Sequence, residues 1–183
     1  DYTADGWTSF LEAAPQLRER TVTVNGLSKS GAMTGWRVGW SVTPDSLTQK
    51  LNALQGHSTS GICSLSQAAA IATLKLPSES FESQRKEYLH RRNLALEVLK
   101  KSAKIKVDEP LGAFYLFLDV SEVLATKSEQ DADGFVQKLL SESQVAVVSG
   151  VDFGAPKCVR LSFATDEKTL VTACERIVEF CSR

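Results

Sequence analysis

The sequence lacks any apolar run long enough to cross a lipid bilayer, so no membrane partner is expected. It also lacks an excess of one charge, because its formal net charge is -1 and no basic run stands out. No nucleic-acid partner is therefore expected. Histidine is scarce, with two residues, and the four cysteines show no C-x-x-C spacing, so no metal site is expected. Reduced cysteines are typical of an intracellular protein, and the expected location is the cytoplasm, with an organelle as the alternative.

Strand-like and helix-like segments alternate along the 183 residues, which indicates an α/β or mixed α+β class. Pro77 separates two predicted helices, so the expected division of the chain falls between residues 78 and 79. Alternating apolar residues predict strands at residues 21–25, 36–42 and 158–163, and short apolar runs predict strands at residues 113–118 and 145–148. Amphipathic or charged segments predict helices from Pro44, at residues 65–76, 79–101 and 133–141, and after Thr165, which is a candidate helix cap.

One segment, residues 25–40, carries the main chemical signal. A predicted strand ends, a loop with several glycines carries Ser28 and Lys29, and a second strand is expected to begin at Trp36. Arg37 would then point away from the apolar face of that strand. A hydroxyl and a guanidinium close to a lysine suit a phosphate group, because arginine binds phosphate oxygens through two N–H groups and serine adds a hydrogen bond. The alternative is an ordinary surface lysine, with Arg37 in a salt bridge.

The same segment resembles the lysine motif of the fold-type I pyridoxal-phosphate enzymes, in the class I and II aminotransferases. The resemblance implies that Lys29 is the catalytic residue: it binds the cofactor, pyridoxal 5′-phosphate, covalently and shuttles a proton between the substrate Cα and the cofactor C4′. It also implies that Ser28 and Arg37 bind the cofactor phosphate. Eight positions match the motif in order and spacing: Ser28, Lys29, Gly35, Trp36, Arg37, Val38, Gly39 and Trp40.

A second segment, far downstream, points to substrate binding. Arg160 alternates with apolar residues, so it lies on the polar face of a predicted strand, where its planar guanidinium fits a carboxylate. Residues 150–154 and 159–164 resemble the small-domain strand of the same family, and this resemblance implies that Arg160 binds the substrate α-carboxylate. The alternative is a structural arginine paired with an acidic neighbour. Residues 57–67 and 112–117 resemble two further family segments, so the resemblance covers nearly the whole chain.

The resemblance also implies an architecture and an activity. Residues 1–78 would end the large cofactor-binding domain, and residues 79–183 would form the small α+β C-terminal domain. The reaction would move an α-amino group between an amino acid and a 2-oxo acid, in a homodimer with a preference for aspartate-like substrates; an aromatic or alanine preference stays open. Two other activities compete with this one: a lyase or synthase of the same fold, and a non-catalytic domain that binds pyridoxal phosphate.

The rest of the family's site lies N-terminal to the lysine. It includes an Asp-x-x-Tyr element, whose aspartate keeps the cofactor ring protonated so that the ring can act as an electron sink. Asp1 and Tyr2 do not have this spacing, and the chain is expected to begin just past that element. The isolated chain is therefore expected to be inactive.

Overall fold

The computed structural model describes residues 1–3, 5–128 and 130–183, which form two compact units. The first, here called the N-terminal unit, is Trp7–Ser80. The second, the C-terminal unit, combines Asp1–Gly6 with Phe81–Arg183. Both units contain helices and antiparallel strands, which agrees with the predicted mixture of helix and sheet. No helix in the described ranges has both the length and the apolar character needed to cross a bilayer.

The two units differ from the expected division at the start of the chain. Asp1–Gly6 belongs to the C-terminal unit, where the backbone N–H of Tyr2 donates to the carbonyl of Leu111 at 2.9 Å. The Tyr2 hydroxyl donates to the carbonyl of Ala113 at 2.5 Å. The assignment of residues 1–78 and 79–183 to the family's two domains stays a prediction.

The N-terminal unit contains a short antiparallel pair of strands and three α-helices. The pair aligns Thr23 with Val42 at one end and Gly26 with Gly39 at the other. Its α-helices are α1 (Phe10–Ala13), α2 (Asp45–Ser58) and α3 (Ser64–Leu74), and its strands are β1 (Thr23–Gly26) and β2 (Gly39–Val42). Short 3-10 turns lie at Pro15–Arg20 and Thr34–Trp36, and a third, Ser78–Phe81, precedes the next long helix.

The predicted strand at residues 36–42 begins too early. Trp36 ends a 3-10 turn, and Arg37 adopts a left-handed conformation with a φ of 51°, so neither residue can extend the strand. The strand starts at Gly39, where a Cβ atom would lie 2.9 Å from the carbonyl oxygen of Asn25. That close approach of two backbones explains why a glycine stands at the start of β2.

The C-terminal unit contains one four-stranded antiparallel sheet with the strand order β3-β4-β6-β5. Residues 145–148 were expected to form a strand, but only Val148 pairs in the sheet, while Val145 and Val147 are buried just before it. The strands are β3 (Lys106–Val107), β4 (Tyr115–Asp119), β5 (Val148–Ser149) and β6 (Cys158–Ser162). The helices are α4 (Glu82–Leu99), α5 (Ser121–Thr126), α6 (Ala132–Ser143) and α7 (Glu167–Ser182), and a 3-10 turn lies at Val151–Phe153.

The N-terminal cap of the last helix is Asp166 rather than the predicted Thr165. The Asp166 carboxylate accepts the backbone N–H of Thr169 at 2.9 Å. An ionised carboxylate is the stronger acceptor at a helix N-terminus, because it also interacts favourably with the helix dipole.

The core of the C-terminal unit lies between one face of the sheet and the helices. Leu116 and Leu118 of β4 and Val159 and Leu161 of β6 are buried and belong to one apolar cluster with residues of α4, α6 and α7. The predicted apolar face of α7 is confirmed, since Leu170, Cys174, Ile177 and Cys181 are buried. The opposite face of the sheet is more open and carries Tyr115, Phe117, Arg160 and Ser162.

Candidate cofactor and substrate sites

The loop between β1 and β2, residues 27–38 and here called the lysine loop, is held in a defined shape. Its two ends meet because Gly26 pairs with Gly39. The carbonyl of Leu27 accepts the backbone N–H groups of both Gly31 and Met33, at 3.0 and 3.2 Å. Leu27 and Met33 are buried, so the loop has apolar anchors as well as hydrogen bonds.

Ser28 and Lys29 stand on the tight turn between these two anchors. The Ser28 side chain is half-buried and the Lys29 side chain is exposed. The turn is closed by the backbone N–H of Ala32, which donates to the carbonyl of Lys29 at 3.3 Å. The Ser30 hydroxyl donates to the carbonyl of Gly26 at 3.4 Å. The predicted catalytic lysine therefore projects from a turn whose backbone is fixed on both sides.

Arg37 follows the 3-10 turn at the other end of the lysine loop. Its exposed guanidinium donates to the carbonyl of Thr34 at 3.2 Å. The backbone just before it is held by α3, because the Ser66 hydroxyl donates to the carbonyl of Trp36 at 2.9 Å. The salt bridge considered as the alternative for Arg37 is not seen among the residues that the structure describes. The position of Arg37 is thus set by the 3-10 turn before it and by its own left-handed backbone conformation, and not by a β-strand.

Arg160 lies on β6, in the C-terminal unit, on the open face of the sheet. Its neighbours in the sheet are Phe117 of β4 and Val148 of β5. The guanidinium carbon lies 4.4 Å from the centroid of the Tyr115 ring and 4.8 Å from that of Phe153. Both distances are within the range of a cation–π contact.

The acidic partner considered as the alternative for Arg160 is likewise not found in the described ranges, 1–3, 5–128 and 130–183. Asp119 shares the open face but pairs across the strands with Cys158. Its carboxylate accepts the backbone N–H of Ser121 at 2.8 Å, which ties it to the start of α5. The structure therefore surrounds Arg160 with rings instead of carboxylates.

The sequence interpretation missed the roles of Tyr115 and Phe153 beside Arg160. Tyr115 lies on a predicted strand, but the register that places it beside the arginine is not visible in the sequence. Phe153 gave no comparable signal, since its position depends on a turn that precedes β6. The structure thus brings Ser28, Lys29 and Arg37 onto one loop, and places Arg160 with two aromatic residues in the other unit.

The chain matches the family Aminotransferase class I and II over residues 2–177. It is 42% identical over 172 residues to an aspartate aminotransferase of Geobacillus stearothermophilus, which covers 94% of this chain and 44% of that protein. A probable aspartate/prephenate aminotransferase of Rickettsia felis is 38% identical over 178 residues, or 94% of this chain and 44% of that protein.

The solved structure of the aspartate aminotransferase from Rhizobium meliloti superposes with a TM-score of 0.92 at 35% identity, over 100% of this chain and 47% of that one. The chain therefore spans a little under half the length of these relatives, and the predicted α/β class is confirmed. The lysine loop and β6, the strand that carries Arg160, both lie within this match, which extends over almost all of the sequence. The chain therefore belongs to the class I and II aminotransferase family.

Proposed function

We propose that this chain forms the C-terminal part of a pyridoxal-phosphate-dependent aminotransferase, which moves an α-amino group between an amino acid and a 2-oxo acid. The observation that carries the proposal is the lysine loop, which places a hydroxyl, an amine and a guanidinium on one fixed stretch of backbone. Membership of the family supports it, because enzymes of this family depend on pyridoxal phosphate.

The donor set of the lysine loop fits this cofactor. Ser28 offers a hydroxyl and Arg37 a positive charge, which suit the cofactor phosphate, and Lys29 offers an amine for covalent attachment. When bound, pyridoxal phosphate supplies an electron sink for the electron pair left at the substrate Cα. Ser28 and Arg37 hold the phosphate in this proposal.

Lys29 has two roles in the proposed reaction. Its amine would hold the cofactor covalently until the amine of the substrate displaces it. The released Lys29 amine would then take the proton from the substrate Cα and return it to the acceptor carbon. Its position on a turn with fixed backbone suits this work, because proton transfer needs a base within hydrogen-bond reach of the reacting atom.

Arg160 binds the substrate in this account. Its planar guanidinium would hold the α-carboxylate through two parallel N–H groups, which fixes the orientation of the substrate as well as its affinity. We propose aspartate-like amino acids as the substrates, since relatives with this specificity in their names align over almost all of the chain. The reaction is expected to be a ping-pong transfer to a 2-oxo acid.

We further propose a homodimer in the cytoplasm. Assembly as a dimer is typical of the family. The cytoplasmic location rests on the cysteines, all four of which are unpaired thiols.

Product analysis of the enzyme, completed with the upstream half of the fold, tests the proposal. With aspartate, 2-oxoglutarate and pyridoxal phosphate, we expect oxaloacetate and glutamate to form in equal amounts. Lys29→Ala should abolish this transfer, while the exposed Lys50→Ala control on α2 should retain it. Products that form from one amino acid without consumption of the 2-oxo acid would indicate a lyase or synthase instead. Cofactor absorbance without turnover would indicate a non-catalytic binding domain.

A further inference from the structure

We infer that Tyr115 and Phe153, here called the aromatic pair, are positioning residues that orient the Arg160 guanidinium for a carboxylate. This inference rests on the proposed role of Arg160 in substrate binding. Its basis is that the guanidinium carbon lies 4.4 and 4.8 Å from the two ring centroids. Rings attract a guanidinium through its flat face and accept none of its N–H hydrogen bonds in the plane. Since the described residues accept no hydrogen bond from the guanidinium and form no ion pair with it, its N–H groups stay available to a planar acceptor.

A second arginine in the same unit shows what a purely structural arginine looks like. Arg92 of α4 is buried, and its N–H groups are used within the protein. They donate to the carbonyl of Pro110 at 2.8 Å and to the side-chain oxygen of Asn93 at 2.9 and 3.1 Å, and they pair with Glu109 at 2.7 Å.

The guanidinium of Arg160 has a different environment. It is half-buried, and in the part of the chain that the structure describes it has neither a side-chain hydrogen bond nor an ion pair. Within the protein, the guanidinium contacts the rings of Tyr115 and Phe153. This arrangement is expected of an arginine whose polar partner is a ligand.

The two rings reach Arg160 from separate elements. Tyr115 lies on β4 diagonally across from Arg160, because Phe117 is the direct partner of Arg160 in the strand pair. Phe153 comes from the 3-10 turn before β6, and its ring packs edge-on against that of Phe117 with centroids 6.2 Å apart. Two independent parts of the fold thus converge on one guanidinium.

The turn that carries Phe153 is fixed by Gly150. Its carbonyl accepts the backbone N–H groups of Phe153 and Ala155, at 3.0 and 2.9 Å, and its own N–H donates to the carbonyl of Cys158 at 2.8 Å. A Cβ atom at position 150 would lie 2.3 Å from the carbonyl oxygen of Ala155, so only glycine fits. The turn is therefore tied directly to the strand of Arg160.

The effect of this arrangement is to restrict a flexible side chain before the ligand arrives. Arginine has many side-chain conformers, and freezing them on binding weakens affinity. Removal of either ring should raise KM for both the amino acid and the 2-oxo acid roughly 3- to 30-fold, the factor expected for a partly desolvated cation–π contact. At saturating substrate, kcat should change less than twofold, because the bound carboxylate then orders the guanidinium.

The test compares ring-removing with ring-retaining variants of the holoenzyme. Tyr115→Leu and Phe153→Leu remove a ring, whereas the matched controls Tyr115→Phe and Phe153→Tyr keep it. Each is assayed for KM and kcat, and for the Kd of succinate, an unreactive dicarboxylate, by calorimetry. We expect the leucine variants to show the KM increase and a weakened succinate Kd, and the ring-retaining controls to match the parent protein.

A merely structural role for the rings would give another result. Leucine variants that lose kcat and thermal stability, with no selective rise in KM or Kd, would overturn the inference. Leucine variants with unchanged KM and Kd in an enzyme that still transaminates would also overturn it, while the proposed function would stand. If the holoenzyme does not transaminate, the proposed function fails, and the succinate Kd values still decide whether the aromatic pair orients Arg160 for a carboxylate.

Discussion

The C-terminal unit and the N-terminal unit differ in how much apolar surface each one buries. The C-terminal unit encloses a cluster of twenty-three buried apolar residues, including Phe135, Phe163 and Phe180. The N-terminal unit has a cluster of four, formed by Leu27, Met33 and Val38 of the lysine loop and Ala70 of α3. Among the described residues, it exposes twelve large apolar side chains, against six in the C-terminal unit. Exposed apolar surface on this scale usually marks a surface that another part of a protein covers.

This difference bears on the two proposed site residues. Arg160 is carried by a unit that completes its own core, whereas Lys29 is carried by a unit whose strand pair leaves Val24 and Val42 exposed. The chain spans 44% of the length of its aspartate aminotransferase relative, so further elements of that fold are available to cover this surface. We therefore expect this chain to form the surroundings of Arg160 by itself. We expect the cofactor site around Lys29 to need the upstream half of the fold as well.

The largest expected effect is on activity. The 183-residue chain alone should show no amino transfer even with excess pyridoxal phosphate, because it spans 44% of the length of its aspartate aminotransferase relative and we expect the site around Lys29 to need the rest. Addition of a chain that supplies the upstream half should give turnover, measured as oxo-acid formation. Robust turnover by the isolated chain would contradict the proposal that the lysine site is incomplete.

The next effect is on stability and compares the truncation of a buried side chain in the C-terminal unit with that of an exposed apolar side chain in the N-terminal unit. Phe163→Ala removes a fully buried ring and should lower the free energy of unfolding by about 3–5 kcal/mol. Leu54→Ala on α2 removes a side chain that is 66% exposed and should change it by about 0.5 kcal/mol or less. Urea unfolding measures both. Equal losses of unfolding free energy in the two variants would mean that Leu54 is packed as tightly in the N-terminal unit as Phe163 is in the C-terminal unit.

A third prediction concerns the arginine site. Arg160→Lys keeps the charge but loses the paired N–H groups, so KM should rise for both the amino and the oxo acid. The loss in kcat/KM should be about 2–4 kcal/mol. Arg176→Lys on α7, whose side chain donates to the carbonyl of Ser143, is the matched control and should have little effect. An unchanged kcat/KM in Arg160→Lys would make Arg160 structural.

The smallest predicted effect is a pH-dependent loss of stability at Asp119. Hydrogen bonds from the side chain and backbone of Ser121 hold the pKa of Asp119 below its ordinary range. The ionised carboxylate therefore stabilises the folded state above the ordinary carboxyl pKa, and this contribution is lost as the pH falls through the folded-state pKa. Asp119→Ala should lower the free energy of unfolding at pH 7 by about 1 kcal/mol, the contribution of a typical hydrogen bond.

Urea unfolding at a series of pH values from 7 downward measures the effect of Asp119→Ala. The difference from the parent protein should shrink as the pH falls below the folded-state pKa. A difference that stays constant with pH would mean that the hydrogen bond does not depend on ionisation.

The sequence predicted the local features well and the non-local ones poorly. The predicted strands and helices occur in the expected order, and the buried face of α7 is found, but the short elements α1, β3 and α5 were not predicted. The start of β2 was wrong because alternation from Trp36 to Val42 cannot reveal a 3-10 turn followed by a left-handed Arg37. The aromatic pair was missed for a related reason: strand register and the Gly150 turn bring its rings together, and neither is visible in the sequence.

Borohydride reduction followed by peptide mapping tests the central claim most directly. The enzyme, completed with the upstream half and loaded with pyridoxal phosphate, is reduced, digested and analysed by mass spectrometry. The cofactor mass should lie on the peptide that contains Lys29; it should disappear in Lys29→Ala and remain in Lys50→Ala. A label on any other lysine would contradict the assignment of the lysine loop as the cofactor site.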